Sequence, residues 1–242
     1  MQSDSVKSAS IKPSSIKPPF VLSALVVFAL LSFALHQALV VAPTEQTMGD
    51  VQRIFYYHVP SAWTAFILFF INFLMSVAYL IRRSSTLDAL AVTTAEVGVV
   101  FCTVVLVTGP IWARPVWGIW WTWDVRLTST LVLWLIYVSY LVLRRFSTGG
   151  ETPVLAAVLS IFGFVDVPLV YLSIRYFRTQ HPQPVIGGGG SLDPRMMHAL
   201  LINWLAFSAF ALLVCTIRYR MERVKRQVEE MQSLESLNEA RN

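Results

Sequence analysis

Charged residues are scarce in this chain. They make up 14% of its 242 residues, against about 25% in an ordinary soluble domain. Cysteine is nearly absent: Cys102 and Cys215 stand singly inside apolar stretches. That excludes a disulfide scaffold, a C-x-x-C redox pair and a C-x-x-C-H haem-attachment motif. Histidine is sparse too, and no H-x-x-x-H or H-E-x-x-H spacing occurs, which excludes the common helix-borne zinc sites. The net charge of +5 is not gathered into a nucleic-acid-binding patch, so no nucleic acid partner is expected. It is distributed between apolar runs instead.

Those runs dominate. Hydrophobic residues make up 55% of the chain, and six stretches reach or approach the roughly 18 apolar residues of a membrane span. They are 20–41, 60–81, 89–108, 127–143, 153–174 and 197–217. The first is longer than a signal-peptide core and follows a long polar leader, so it reads as a retained helix. The expected fold class is therefore all-α, a polytopic membrane protein with six transmembrane helices. A leader (1–19) precedes the six-helix membrane domain (20–217), and a helical tail (218–242) follows it.

Basic residues orient the spans. Lys7, Lys12, Lys17, Arg82, Arg83, Arg144, Arg145, Arg218, Arg220, Arg223, Lys225 and Arg226 all fall on one side, which the positive-inside rule makes cytoplasmic. Both termini are then cytoplasmic, and the connections 42–59, 109–126 and 175–196 face outward. These hold Arg53, Arg114, Arg126, Arg175, Arg178 and Arg195 but no lysine. An all-arginine set suits bidentate capture of carboxylates or phosphates; snorkelling to lipid phosphates is the alternative.

Proline punctuates the helix starts. Thr152-Pro153 and Asp193-Pro194 predict capped entries to the fifth and sixth helices, and His58-Val59-Pro60 predicts the entry to the second. Gly187–Gly190 reads as spacer. Ile217, Met221, Val224, Val228 and Met231 form a short apolar seam on the tail, suited to docking on a partner. Glu96 is expected to pair with a basic residue at the inner end. Asp166, just before Pro168, is expected to satisfy backbone freed by the proline.

The outward side carries the chemistry. Its second connection reads Trp117-Gly118-Ile119-Trp120-Trp121-Thr122-Trp123-Asp124, four of the chain's eight tryptophans in eight positions. Such a cluster is either an interfacial anchor or a shelf for a planar ligand. All four histidines, His36, His58, His181 and His198, lie outside or in the outer half of the spans. Two imidazoles on different loops with an aromatic shelf between them suit an iron porphyrin ligated on both faces, arginines neutralising its propionates. His58 and His181 are the better axial pair; His36 and His198 sit near helix ends. Asp124 is a cap for the fourth helix, a partner of Arg126, or an orienting group for a histidine.

The string from Trp117 to Asp124, continued by Val125-Arg126-Leu127-Thr128-Ser129, resembles the tryptophan-rich WWD signature of haem-handling membrane proteins, in its CcmC branch. Gln52-Arg53-Ile54-Phe55-Tyr56-Tyr57-His58-Val59-Pro60 and Arg178-Thr179-Gln180-His181-Pro182 add to the resemblance. It implies a component of cytochrome c maturation in the bacterial inner membrane, not an enzyme. Such a protein holds haem b as cargo at the periplasmic face and presents it to the haem chaperone CcmE. Its implied partners are the ABC subunits CcmA and CcmB, the small membrane protein CcmD, and lipid. His58 and His181 become the axial ligands, and Trp117, Gly118, Trp120, Trp121, Trp123 and Asp124 the platform. Arg53 and Arg126 fall near the propionates; His36 and His198 receive no ligand role. Two other classes compete. A b-type cytochrome or quinol oxidoreductase subunit would place histidine pairs within helices, and a solute permease would leave the outer histidines unexplained.

Overall fold

The structure is a computed structural model that describes residues 18–147, 149–184 and 192–241. The lysines of the leader and the Gly187–Gly190 run lie outside these residues. The apolar helix α1 (Pro18–His36) passes into a π-helical turn (Gln37–Val41). A 3-10 turn (Asp50–Ile54) feeds α2 (Phe55–Arg82), which is followed by α3 (Ser85–Trp117) and α4 (Val125–Phe146). Then come α5 (Thr152–Phe164), α6 (Asp166–Tyr176) and the long α7 (Pro194–Glu239). Six stretches are long and apolar enough to cross a membrane: Pro18–Val41, Asp50–Arg82, Ser85–Trp117, Val125–Phe146, Thr152–Tyr176 and Pro194–Glu239. The six-helix, all-α expectation holds.

Three boundaries differ from the sequence reading, each through proline. α2 starts five residues before Pro60, so His58 is carried on a helix and not on a loop. α3 runs through Pro110 and Pro115 to Trp117, leaving a shorter tryptophan segment than 109–126. A proline removes one helical hydrogen bond and crowds one carbonyl, which a packed membrane helix tolerates. The fifth span is broken at Val165 into α5 and α6, with Asp166 opening α6 and Pro168 in its first turn, where proline is allowed. Asp166 Oδ2 is buried without a hydrogen-bond partner among the described residues, so this oxygen does not repair freed backbone. At the helix entries, Asp193 caps α7 by accepting the Arg195 N–H at 2.8 Å. Thr152 begins α5 itself, so the cap position falls on Glu151, one residue before the expected cap.

The core forms where small residues admit close approach. Phe69 on α2 stacks on Tyr137 of α4, with ring centres 3.8 Å apart. Gly98 of α3 makes room for that ring: a Cβ there would lie 2.7 Å from Phe69 Cε1. Hydrogen bonds pin the apolar layers in register. Asn72 Nδ2 donates to the Ala91 carbonyl at 2.7 Å, and Asn203 Nδ2 on α7 donates to Ala34 of α1 at 3.1 Å.

Ion pairs fasten the end opposite the tryptophan segment. Asp88, with 5% of its side chain exposed, takes a bidentate bond from Arg144 and a further bond from Arg226 on the α7 extension. Glu96 is gripped by Arg218 through Nε and Nη2, the inner basic partner the sequence expects. The seam residues Met221, Val224, Val228 and Met231 are exposed along that extension.

Candidate functional site

Four segments converge at the other end: the start of α2, the end of α3, the tryptophan segment, and the stretch after α6. Trp117 is the last residue of α3. Gly118 ends the helix in the left-handed region, at φ 78°, with its N–H on the Arg114 carbonyl at 3.0 Å. A side chain there would be strained, so the glycine is the pivot that turns the chain into the tryptophan run. The Arg114 guanidinium closes the turn on the Gly118 carbonyl.

The indoles divide into two groups. Trp120 and Trp123 are exposed, at 58% and 76%. Trp117 packs edge-on against Trp112 with centres 5.2 Å apart, and Trp121 packs edge-on against Trp123 at 5.8 Å. Trp121 holds its N–H buried with no partner among the described residues. An apolar surface with an unpaired donor behind it suits a planar ligand that carries acceptors.

Asp124 joins two of the segments. Its Oδ1 accepts the Leu127 N–H at 3.0 Å and caps α4. Its Oδ2 accepts the Thr122 and Thr179 hydroxyls, each at 3.0 Å, and Thr179 Oγ1 accepts the His181 N–H at 3.1 Å. The tryptophan segment is thus tied to the histidine segment through one carboxylate. Burial opposes ionisation of Asp124, but the bonds from Leu127, Thr179 and Thr122 outweigh it and hold the carboxyl below its ordinary value. A depressed carboxyl contributes stability above its ordinary value, near pH 4, and loses it as pH falls through the lower native value. Asp124→Ala is expected to cost about 1–2 kcal/mol for the lost cap. It should also speed amide hydrogen exchange across residues 177–184 while exchange in α2 stays unchanged; unchanged exchange at 177–184 would show that the tie does not hold that segment.

The two histidines that the sequence pairs do meet. The ring centres of His58 and His181 lie 6.3 Å apart, with planes inclined by 33°. Two imidazoles on opposite sides of one metal have centres about 6.2 Å apart, taking metal–nitrogen distances near 2.0 Å and about 1.1 Å from nitrogen to ring centre. His181 Nδ1 faces the Pro182 carbonyl at 2.9 Å. A carbonyl only accepts, so Nδ1 carries the proton and Nε2 keeps its lone pair. Burial, reinforced by the nearby Arg126 charge, lowers the His181 imidazole to about 4. It is therefore neutral, and competent as a metal ligand, throughout the physiological range. Two imidazoles fill only two positions around a metal, which fits an iron whose other four positions are filled by a macrocycle.

The arginines behave differently from one another. Arg126 is half-buried beside the pair and donates to the Val170 carbonyl at 3.2 Å. Arg53 spends its guanidinium on Asp50, on the Ala38 and Ala42 carbonyls and on Thr44, clasping the first connection to the start of α2. His36 and His198 are exposed near the ends of α1 and α7, apart from the pair. Sequence reasoning passed over Thr108, Trp112, Thr122 and Thr179. Of these Thr122 and Thr179 stood in quoted motifs, without a role; a threonine inside an apolar run, such as Thr108, gives no signal of its own.

Comparison with known proteins identifies the family. The family described as "Heme exporter protein C" (CcmC) matches residues 9–234. "Heme exporter protein C" of Bradyrhizobium diazoefficiens is 32% identical over 81% of this chain and 76% of its own length. The protein of the same name in Escherichia coli K12 is 33% identical over 73% of this chain and 71% of its own. A "Putative cytochrome c biosynthesis ccmC-like mitochondrial protein" of Marchantia polymorpha is 30% identical over 72% of this chain and 74% of its own. The chain belongs to the CcmC, or heme exporter protein C, family.

Proposed function

We propose that this protein binds haem between His58 and His181 at the outer face of the membrane and presents it to a CcmE-type chaperone. Its family gives the coarser part of that statement: a membrane component of haem handling in cytochrome c maturation, and not an enzyme. The observation that carries the finer part is the pair of neighbouring imidazoles, with ring centres 6.3 Å apart, together with the exposed Trp120 and Trp123.

Haem is the substrate in this reading. The two Nε2 atoms take its iron axially, and Trp117, Trp120, Trp121 and Trp123, turned by Gly118, meet the macrocycle. Arg126 neutralises a propionate. Arg53, with its donors already engaged, acts mainly by holding the first connection against α2. Asp124 keeps the His181 segment against the tryptophan run. Release requires one axial bond to break, and the His181 side is the natural one: His58 sits on a continuous helix, whereas His181 sits in a stretch without helix, tied through Thr179. The basic ends of the other connections gather at the opposite pole, which supports a site facing the periplasm and termini facing the cytoplasm of a bacterial inner membrane. CcmA, CcmB and CcmD complete the assembly, and ATP hydrolysis by the ABC subunits shifts the population toward release.

Absorption spectroscopy tests the reading. The purified protein is expected to carry stoichiometric low-spin haem b that leaves on mixing with an apo-chaperone. Haem that cycles between redox states but never transfers would point to a cytochrome instead, and absence of any chromophore after haem addition would end the proposal.

A further inference from the structure

His58 has a hydrogen-bond partner whose direction can be deduced. Its Nδ1 lies 2.9 Å from the Thr108 hydroxyl oxygen on α3. That hydroxyl lies 2.6 Å from the Val104 carbonyl, one turn back on the same helix, with a longer contact of 3.5 Å to the Val105 carbonyl. A threonine has a single hydroxyl proton, and carbonyls only accept. The proton is committed to the helix backbone, so Thr108 meets His58 with a lone pair. His58 must then donate from Nδ1, and its Nε2 is left bare.

We propose that Thr108 is a positioning residue for haem capture: it fixes His58 in the one tautomer that directs a lone pair at iron, and fixes the ring's rotation with it. The inference rests on the reading of His58 as an axial ligand. It adds a residue that lies in α3, outside the tryptophan segment and both histidine motifs. Gly109 supports the arrangement from the same turn, since even a Cβ there would only touch His58 Cε1 at 3.5 Å. The ring thus has a close wall on α3 and one polar anchor in it.

The two ligands are prepared by different means. His181 is set by the main-chain carbonyl of Pro182, which no side-chain substitution removes. His58 is set by a side chain, and Thr108→Val removes its acceptor at almost constant volume. A ligand histidine that loses its outer hydrogen bond typically loses 10–100-fold in metal affinity, because tautomer, orientation and ring basicity are all released. A less basic imidazole also favours ferric iron less, so the haem potential rises.

The test uses the full-length protein in detergent, loaded with haem. It reads haem loss to excess apomyoglobin and the midpoint potential by spectroscopic titration, for the wild type, Thr108→Val, Thr108→Ser and His58→Ala. Thr108→Val is expected to release haem about 10-fold faster or more, with a raised potential, while Thr108→Ser, which keeps the hydroxyl, returns both toward wild type. A merely structural role would lower thermal stability without moving the potential, and that result would overturn the proposal. So would wild-type release and potential in Thr108→Val while His58→Ala loses its haem. Undiminished haem binding by His58→Ala would instead remove the ligand reading beneath it.

Discussion

Haem content of the purified protein is expected to fall more than 100-fold in His58→Ala and in His181→Ala, and to vanish in the double variant. The magnitude follows from comparison with weaker perturbations. Loss of a group that merely orients a ligand histidine costs 10–100-fold; loss of the ligand itself removes the coordinate bond as well. Residual haem in either single variant should be five-coordinate and high-spin, because one imidazole remains. The two variants should differ in folding. His58 is packed against α3 beside Gly109 and bonded to Thr108, so its truncation leaves a gap and an idle threonine lone pair. Among the described residues the His181 ring hydrogen-bonds only to Pro182, a neighbour in its own segment, so its truncation is milder for the fold. His36→Ala and His198→Ala serve as controls on exposed histidines away from the pair and should load normally. Absorption spectra with a haem assay give the result, and full loading in both single ligand variants would defeat the assignment.

Much of this was legible in the sequence because membranes simplify the reading. Backbone polar groups in hydrocarbon must be satisfied internally, so long apolar runs become helices whatever else they contain. The six spans follow from that rule. The pairing of His58 with His181 was legible for another reason: both stood in segments expected on one side of the membrane, flanking a tryptophan run, and the fold brings those segments together. Proline hid the rest. The rule that X-Pro avoids helix placed His58 in a loop, yet α2 begins at Phe55 and carries it on its first turn. The apolar run at 89–108 stopped short of the end of α3, which continues through Pro110 and Pro115 to Trp117. Polar partners were hidden because they depend on contacts across the chain: Thr179 and Asp124 are 55 positions apart, and Thr108 and His58 are 50 apart. Asp166 shows the opposite limit. Its neighbour Pro168 suggested a backbone partner, but the helix breaks at Val165 and Oδ2 has no partner among the described residues.

Asp88→Ala is expected to be the most destabilising single substitution outside the haem site, at about 3–5 kcal/mol. That is the usual cost of removing one partner from a buried ion pair, since the remaining charge is stranded away from water. The two arginines on Asp88 are not equally exposed to this loss. Arg226 keeps Glu222 at 2.7 Å and the Ser85 carbonyl at 3.1 Å. Arg144, with 13% of its side chain exposed, forms an ion pair only with Asp88 among the described residues and otherwise rests near the Tyr140 ring, 5.6 Å from its centre. The cost therefore falls mainly on Arg144. Asp88→Asn, which keeps one acceptor, should lose less, and Arg226→Ala should lose least because the Arg144–Asp88 pair survives it. Raised salt should not reproduce the effect, as buried pairs are poorly screened. Thermal unfolding in detergent ranks the three variants, and limited proteolysis of residues 218–241 reports whether the α7 extension comes free. Asp88 and Thr108 stand twenty positions apart on α3, about 30 Å along the helix. Haem bound to Asp88→Ala below its unfolding temperature should then show the wild-type spectrum. Equal stability of Asp88→Ala and wild type would mean that the α7 extension holds itself by other contacts.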